Sequence, residues 1–192
     1  MRTFTLDTNC LIAVAESRPE AADVLRLSTA HASGTESAAL VAISASERQQ
    51  SGEALESFDK FKARIASLGL GHLELLKPLA YWDITFWDFS LWSDDTMVQT
   101  ERKIHEILFP NIEFLWPDFC AARGLAPETT PPDRKWRNAK CDVLAYWSHV
   151  HAGRAVFVTS DRNFHTTAKA ADLQAAFGGS VLTPQSAASL LS

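Results

Sequence analysis

The stretch from Asn138 to Phe164, NAKCDVLAYWSHVHAGRAVFVTSDRNF, changes its hydrophobic period once, and that change decides the fold. Up to Ala152 the apolar residues Val143, Leu144, Trp147 and Val150 recur at helical spacing, so a helix with one buried face is expected over Asn138–Ala152. Gly153 supplies its stop. Ala155–Val158, AVFV, is then a short continuous apolar run, the pattern of a strand covered on both faces, and it ends on Thr159-Ser160-Asp161. A helix, a glycine, a doubly buried strand and a polar turn make up the unit of a parallel α/β sheet.

The same unit recurs outward in both directions. Thr3–Leu6 reads as a first strand that stops at Asp7. Helical composition continues over Leu11–Ala15 and Pro19–Ser28, and Ala39–Ser44, ALVAIS, reads as a second buried strand. After Ser46-Glu47 the residues Ala54, Leu55, Phe58, Phe61 and Ile65 recur at helical spacing as far as Leu68, and Leu73–Leu76 reads as a third strand. Beyond the decisive stretch, Ala168–Phe177 is a helix, Gly178-Gly179 ends it, Ser180–Thr183 is a last strand, and Pro184 opens a short helix running to Leu191. The alternation predicts a parallel sheet with helices on both faces. Between Tyr81 and Trp136 the pattern loosens. Asp95–Leu108 is helical, prolines punctuate the chain from Pro110 to Pro132, and Ala126–Asp133 reads as an exposed loop.

With 192 residues, 46% hydrophobic and 21% charged, the chain has the make-up of one folded domain rather than a disordered segment. Three widely spaced cysteines, Cys10, Cys120 and Cys141, form no disulfide framework and no zinc-ligand pattern. The apolar region Leu75–Trp92 is broken by Lys77, Asp83 and Asp88, so no membrane span is expected. The amino terminus has no signal-peptide layout, and a cytoplasmic protein is the expectation. A formal net charge of -5 is unusual for a nucleic-acid binder, which makes local charge matter more than the total.

In an open parallel sheet, active groups gather at the carboxyl ends of the strands. Asp7 ends the first strand, Glu47 opens the helix after the second, Asp142 lies in the first half of the helix before AVFV, and Asp161 comes just after that strand. Four carboxylates drawn to one edge would repel and raise one another's pKa unless a hard cation joined them. Mg²⁺ or Mn²⁺ in that position implies phosphodiester chemistry.

The quoted stretch, with TLDTNCLI at Thr5–Ile12, ISASE at Ile43–Glu47 and the ending SVLTPQSAASLL, resembles the PIN-domain family, and within it the toxin ribonucleases of the VapC kind. The resemblance covers roughly residues 3–66 and 137–191. It implies a PIN-like three-layer α/β/α sandwich with a central parallel sheet of about five strands. It further implies a single domain over 1–192, with a helical, aromatic-rich insertion at about 69–136. Asp7, Glu47, Asp142 and Asp161 would be the metal ligands and catalytic residues, with Asn9, Thr159 and Asn163 supporting them. Many relatives have Asp where this chain has Asn163. The implied activity is metal-dependent hydrolysis of RNA by a metal-activated water. The implied role is the toxin of a toxin–antitoxin pair, as a homodimer held in check by an antitoxin protein. The alternative is a non-catalytic PIN-fold module that binds RNA or protein.

Other residues carry weaker readings. Arg134, Lys135, Arg137 and Lys140, with Arg48 and Arg162, would form an RNA-binding basic patch beside the acids, or else a solvated helix start. Tyr81, Trp82, Trp87, Trp92 and Trp116 are expected to pack in the insertion or a dimer interface rather than stack on bases. His149 and His151, in a last helical turn, would gain partial positive charge. Cys10 and Cys141 read as buried fillers.

Overall fold

The computed structural model describes residues 1–45, 58–82 and 84–191. Five strands, β1 (Thr3–Leu6), β2 (Ser37–Val41), β3 (Glu74–Leu76), β4 (Val156–Val158) and β5 (Ser180–Leu182), form one sheet in the order β3-β2-β1-β4-β5. Every neighbouring pair is parallel, and central β1 pairs on both sides, Leu6 lying opposite both Leu40 and Val158. The ALVAIS run ends its strand early. Ala42–Ala45 coil into a 3₁₀ turn at the sheet edge.

Alternate strand residues feed two cores, the period-2 signature of a sheet covered on both faces. Phe4, Leu6, Val156 and Val158 pack on one side with α1 (Thr8–Ala15), α2 (Ala21–Ala32), α3 (Phe58–Ser67) and α8 (Pro184–Ala188). Phe157 and Val41 pack on the other with α4 (Asp95–Leu108), α6 (Arg134–His151) and α7 (Thr167–Phe177). The result is a three-layer α/β/α sandwich. Gly179 has φ +68°, and a Cβ there would stand 2.7 Å from the Ala155 carbonyl oxygen, so the turn into β5 requires glycine. No helix among the described residues is long and apolar enough to cross a membrane.

The 69–136 stretch contributes more to the frame than an insertion would. Its first residues supply β3, whose Leu75 packs against one core, and α4 lies along α6 in the other. A short helix that the sequence pattern does not announce, α5 (Trp116–Ala121), starts at Trp116 with Pro117 in its first turn, where proline is tolerated. The start of α6 falls at Arg134 rather than Asn138, because the Asp133 carboxylate caps it, accepting from Lys135 N–H at 2.7 Å and Trp136 N–H at 3.3 Å.

Two readings of side chains are corrected by packing. Lys140 is not part of a basic surface: its ammonium, fully buried, donates to Glu101 of α4 at 2.7 Å. It also stands 4.0 Å from the Phe114 ring centroid and 4.5 Å from that of Tyr81. Position 140 lies beyond the solvent-facing first turn, and there α6 has rotated its side chain toward α4. His149 is not cationic. The sheet buries it, its Nδ1 meets Thr5 Oγ1 at 2.9 Å, and burial pulls its pKa down to about 4.

The aromatic residues divide. Tyr81 and Trp116 pack against buried Trp136, as expected, but Trp82, Trp87 and Trp92 are 73%, 46% and 78% exposed, with Trp87 touching the other two. The single 3₁₀ turn at Trp87–Phe89 directs Phe89 inward onto Phe58, ring centroids 4.2 Å apart, which leaves Trp87 facing out.

The buried pair makes a stability prediction. Lys140→Met should cost about 3–5 kcal/mol by stranding the Glu101 carboxylate. Adding Glu101→Leu should restore most of that loss. Urea unfolding of the two variants checks this; equal stability of the single and double variants would refute it.

Candidate functional site

The chain leaves β1 for β2 and β3 on one side and returns to β4 and β5 on the other, so the strand order reverses between β1 and β4. Loops leaving the carboxyl ends of two such strands diverge and open a crevice. Asp7 is the first residue after β1. Its N–H still bonds the Val158 carbonyl at 3.0 Å, which fixes it against β4. It is also the N-cap of α1, with Oδ1 accepting from Thr8 N–H at 2.8 Å.

Thr159 is the first residue after β4 and is held to β5 through Leu182 O at 3.0 Å. Its hydroxyl donates to Asp7 Oδ2 at 2.7 Å, and Asn9 Nδ2 donates to the same oxygen at 3.0 Å. The same Thr159 oxygen accepts the Asp161 N–H at 3.1 Å, and Asp161 Oδ1 accepts the Asn163 N–H at 2.7 Å. One hydroxyl thus ties the acid after β1 to the loop bearing the acid after β4. Asp142 arrives from the third direction, about two turns into α6.

Asp7, Asp142 and Asp161 line a single cavity of about 200 Å³ with Thr8, Asn9, Asn138 and Cys141. Three of the acids singled out in the sequence therefore share one opening. Glu47 and Arg48 lie outside the described residues.

Burial is the largest influence on the Asp7 carboxyl and pushes its pKa up; the Asp161 charge pushes the same way, against the hydrogen bonds from Thr159, Thr8 and Asn9. A carboxylate held by neutral donors, buried beside a second carboxylate, is the arrangement a divalent cation relieves. The donor atoms facing the cavity from Asp7, Asn9, Asp142 and Asp161 include hard oxygens suited to Mg²⁺ or Mn²⁺. Among the described residues, no three His, Cys, Asp or Glu side chains are grouped closely enough to hold a metal between them. The three acids share the cavity without converging on a point. Cys10 and Cys141 are buried, and burial drives the Cys10 thiol up, so it is no nucleophile.

A larger cleft of about 550 Å³ adjoins the cavity, lined by Phe109, Ile112, Asp133, Arg134, Lys135, Asn138, Ala139 and Asp142. Asn138 and Asp142 border both spaces. Of the basic residues expected nearby, Arg134 and Lys135 line this cleft, whereas half-buried Arg137 and exposed Arg162 border neither space.

The supporting role expected of the Asn163 side chain is also corrected. Its Oδ1 accepts from Lys169 Nζ, which donates to Leu108 O at 2.6 Å, so the side chain points to the α4–α7 joint. Its Nδ2 is buried without a partner. Asn138 is a lining residue that the sequence reading misses, although a signal exists: it precedes Asp142 by four residues on a helix and shares its face. Phe109 and Ile112 carry no signal, since nothing in the sequence around Pro110 says which way the chain turns after α4. No protein-family model, curated protein or solved structure matches this chain.

The sign of the Asp7 shift makes a test. A carboxyl whose folded pKa is raised costs stability once the unfolded state ionises, so its penalty is absent at low pH and grows as pH rises above the ordinary carboxylate value. In EDTA, the stability of Asp7→Asn relative to the parent should increase from acidic to neutral pH. A constant difference across that range, measured by thermal unfolding, would show that Asp7 is not strained.

Proposed function

We propose that this protein is a Mg²⁺- or Mn²⁺-dependent endoribonuclease of the PIN-domain kind. The observation that carries the reading is the placement of Asp7 and Asp161 at the ends of adjacent strands β1 and β4, facing one cavity with Asp142. Asp7, Asp142 and Asp161, with Glu47 as the further ligand taken from the family resemblance, would hold the metal. A metal held there would supply Lewis acidity toward a water and charge neutralisation at the scissile phosphate.

The chain's own groups do the rest. Thr159 and Asn9, donating to Asp7 Oδ2, fix the orientation of that carboxylate. The Asn163 N–H does the same for Asp161 Oδ1. Arg134 and Lys135, at the rim of the adjoining cleft, attract and position RNA phosphates. Their local charge, rather than the net charge of -5, sets RNA affinity. In this reading the biological role is that of a cytoplasmic toxin acting as a homodimer, silenced when an antitoxin protein covers the acidic cavity.

Purified protein incubated with single-stranded and structured RNA should cleave with Mn²⁺ or Mg²⁺ and not with EDTA. Asp7→Asn and Asp161→Asn should each lower cleavage by more than roughly a hundredfold, beyond the cost of losing an outer-shell group. No cleavage, together with no divalent ion bound in calorimetry, would overturn the catalytic reading in favour of a binding module.

A further inference from the structure

The cleft beside the acidic cavity has a composition that the cavity lacks. Its volume of about 550 Å³ lies within the range of small-molecule sites. Phe109, Ile112 and Ala139 give it apolar walls, and Arg134, Lys135 and Asn138 give it polar ones. Phe109 and Ile112 are only partly buried, so apolar surface faces the opening.

The apolar walls are fixed in advance. Ile112 O accepts from the buried His105 ring through Nε2 at 2.7 Å, and burial lowers the pKa of that ring. Lys169 Nζ, donating to Leu108 O at 2.6 Å, anchors the chain next to Phe109, and the same ammonium stands 5.7 Å from the Phe109 ring. Of the two acids in the lining, Asp133 uses its Oδ1 to cap α6, and Asp142 belongs to the acidic cavity. A preformed apolar slot binds with little ordering cost.

We propose that this cleft is a base subsite, which accepts one unpaired nucleobase of an RNA strand whose neighbouring phosphate lies at the acidic cavity. The inference rests on the nuclease reading for the position of that phosphate. Asn138 and Asp142 are four residues apart on one face of α6, about 6 Å along its axis, so cavity and cleft are joined over a distance that a single nucleotide spans. Phe109 offers an aromatic face for stacking. The Asn138 amide carries both a donor and an acceptor for a base edge. Arg134 and Lys135 neutralise the phosphates on either side. A base can enter such a slot only when unstacked and unpaired, so the substrate class is single-stranded RNA, a loop or a bulge, not a regular duplex.

The test is binding without turnover, in EDTA and again with Ca²⁺, monitored by the anisotropy of end-labelled oligonucleotides at low salt. The probes are a single-stranded RNA hexamer, an abasic ribose-phosphate hexamer of equal charge, and the paired duplex. The parent protein should prefer the base-bearing single strand over both others by about tenfold, the scale of one stacked base. Phe109→Ala should erase most of that preference while leaving affinity for the abasic strand unchanged. Ile112→Ala, at a partly exposed position, should do the same if Phe109→Ala disturbs folding. Equal affinity of the parent for base-bearing and abasic strands, or binding of neither, overturns the proposal, as does a preference that survives both substitutions. A preference that stands while no cleavage occurs with Mn²⁺ sinks the nuclease reading alone.

Discussion

A buried carboxylate, that of Asp7, is the constraint on which the arrangement of this molecule turns. Taking a carboxylate out of water costs several kcal/mol unless donors surround it. Here the donors come from two ends of the chain: Thr8 and Asn9 are its immediate neighbours, and Thr159 lies 152 residues on. Satisfying Asp7 therefore requires β1 and β4 to be neighbours with their carboxyl ends level. The parallel register that pairs Leu6 with Val158 provides this. Once it is met, the Asp161 loop hangs from the same threonine oxygen, and α6, which must run back to start β4, brings Asp142 to the same edge.

The sheet is legible in the sequence because its strands are short and apolar on both faces. The run Thr3–Leu6 has the bounds of β1, and AVFV differs from β4 by one residue. Such runs are ambiguous between strand and helix when taken alone, and the glycine before AVFV and the polar residues after both runs resolve the ambiguity. Asp7, Asp142 and Asp161 are legible for a related reason: each belongs to an element, or to the turn beside one, whose direction the topology fixes, whereas Asn9 and Thr159 are legible only through the family resemblance. Asp142 and Asp161 lie 19 residues apart, one helix and one strand, so their place on one cavity is a consequence of a parallel sheet.

The sequence is silent on anything decided by which way a side chain turns within a correctly placed element. Arg134, Lys135 and Lys140 look alike as a basic cluster, yet the step from 134 to 140 spans nearly two helical turns. The first two face solvent, and the third is buried against Glu101 in an ion pair between α4 and α6. Its partner is 39 residues away, in a segment with weak periodicity. The tryptophans mislead for the converse reason. Hydrophobicity argues for burial, but the tight turn at Trp87–Phe89 has room to bury one side, and Phe89 takes it. The family resemblance points to Asn163 as a supporting group, while Lys169 claims its side chain.

If the proposed function holds, the distribution of charge reconciles an acidic chain with a polyanionic substrate. Between Tyr81 and Thr96 the sequence has four aspartates and no lysine or arginine. That segment, which carries the exposed tryptophans, repels phosphates. The opposite bias occurs at the start of α6, whose first turn has no acid and begins with Arg134 and Lys135. Cations at the positive end of a helix cost about 0.3–1 kcal/mol each, so this placement works against the stability of α6. Asp133 offsets part of that cost as the N-cap. An anion resting on the rim of the cleft would remove the rest, and a phosphate of a bound strand is an anion of the right kind. Under the proposed function, the unfavourable cations and the unfavourable buried carboxylate share one explanation: each is a destabilising charge whose complement would arrive with the metal and the RNA.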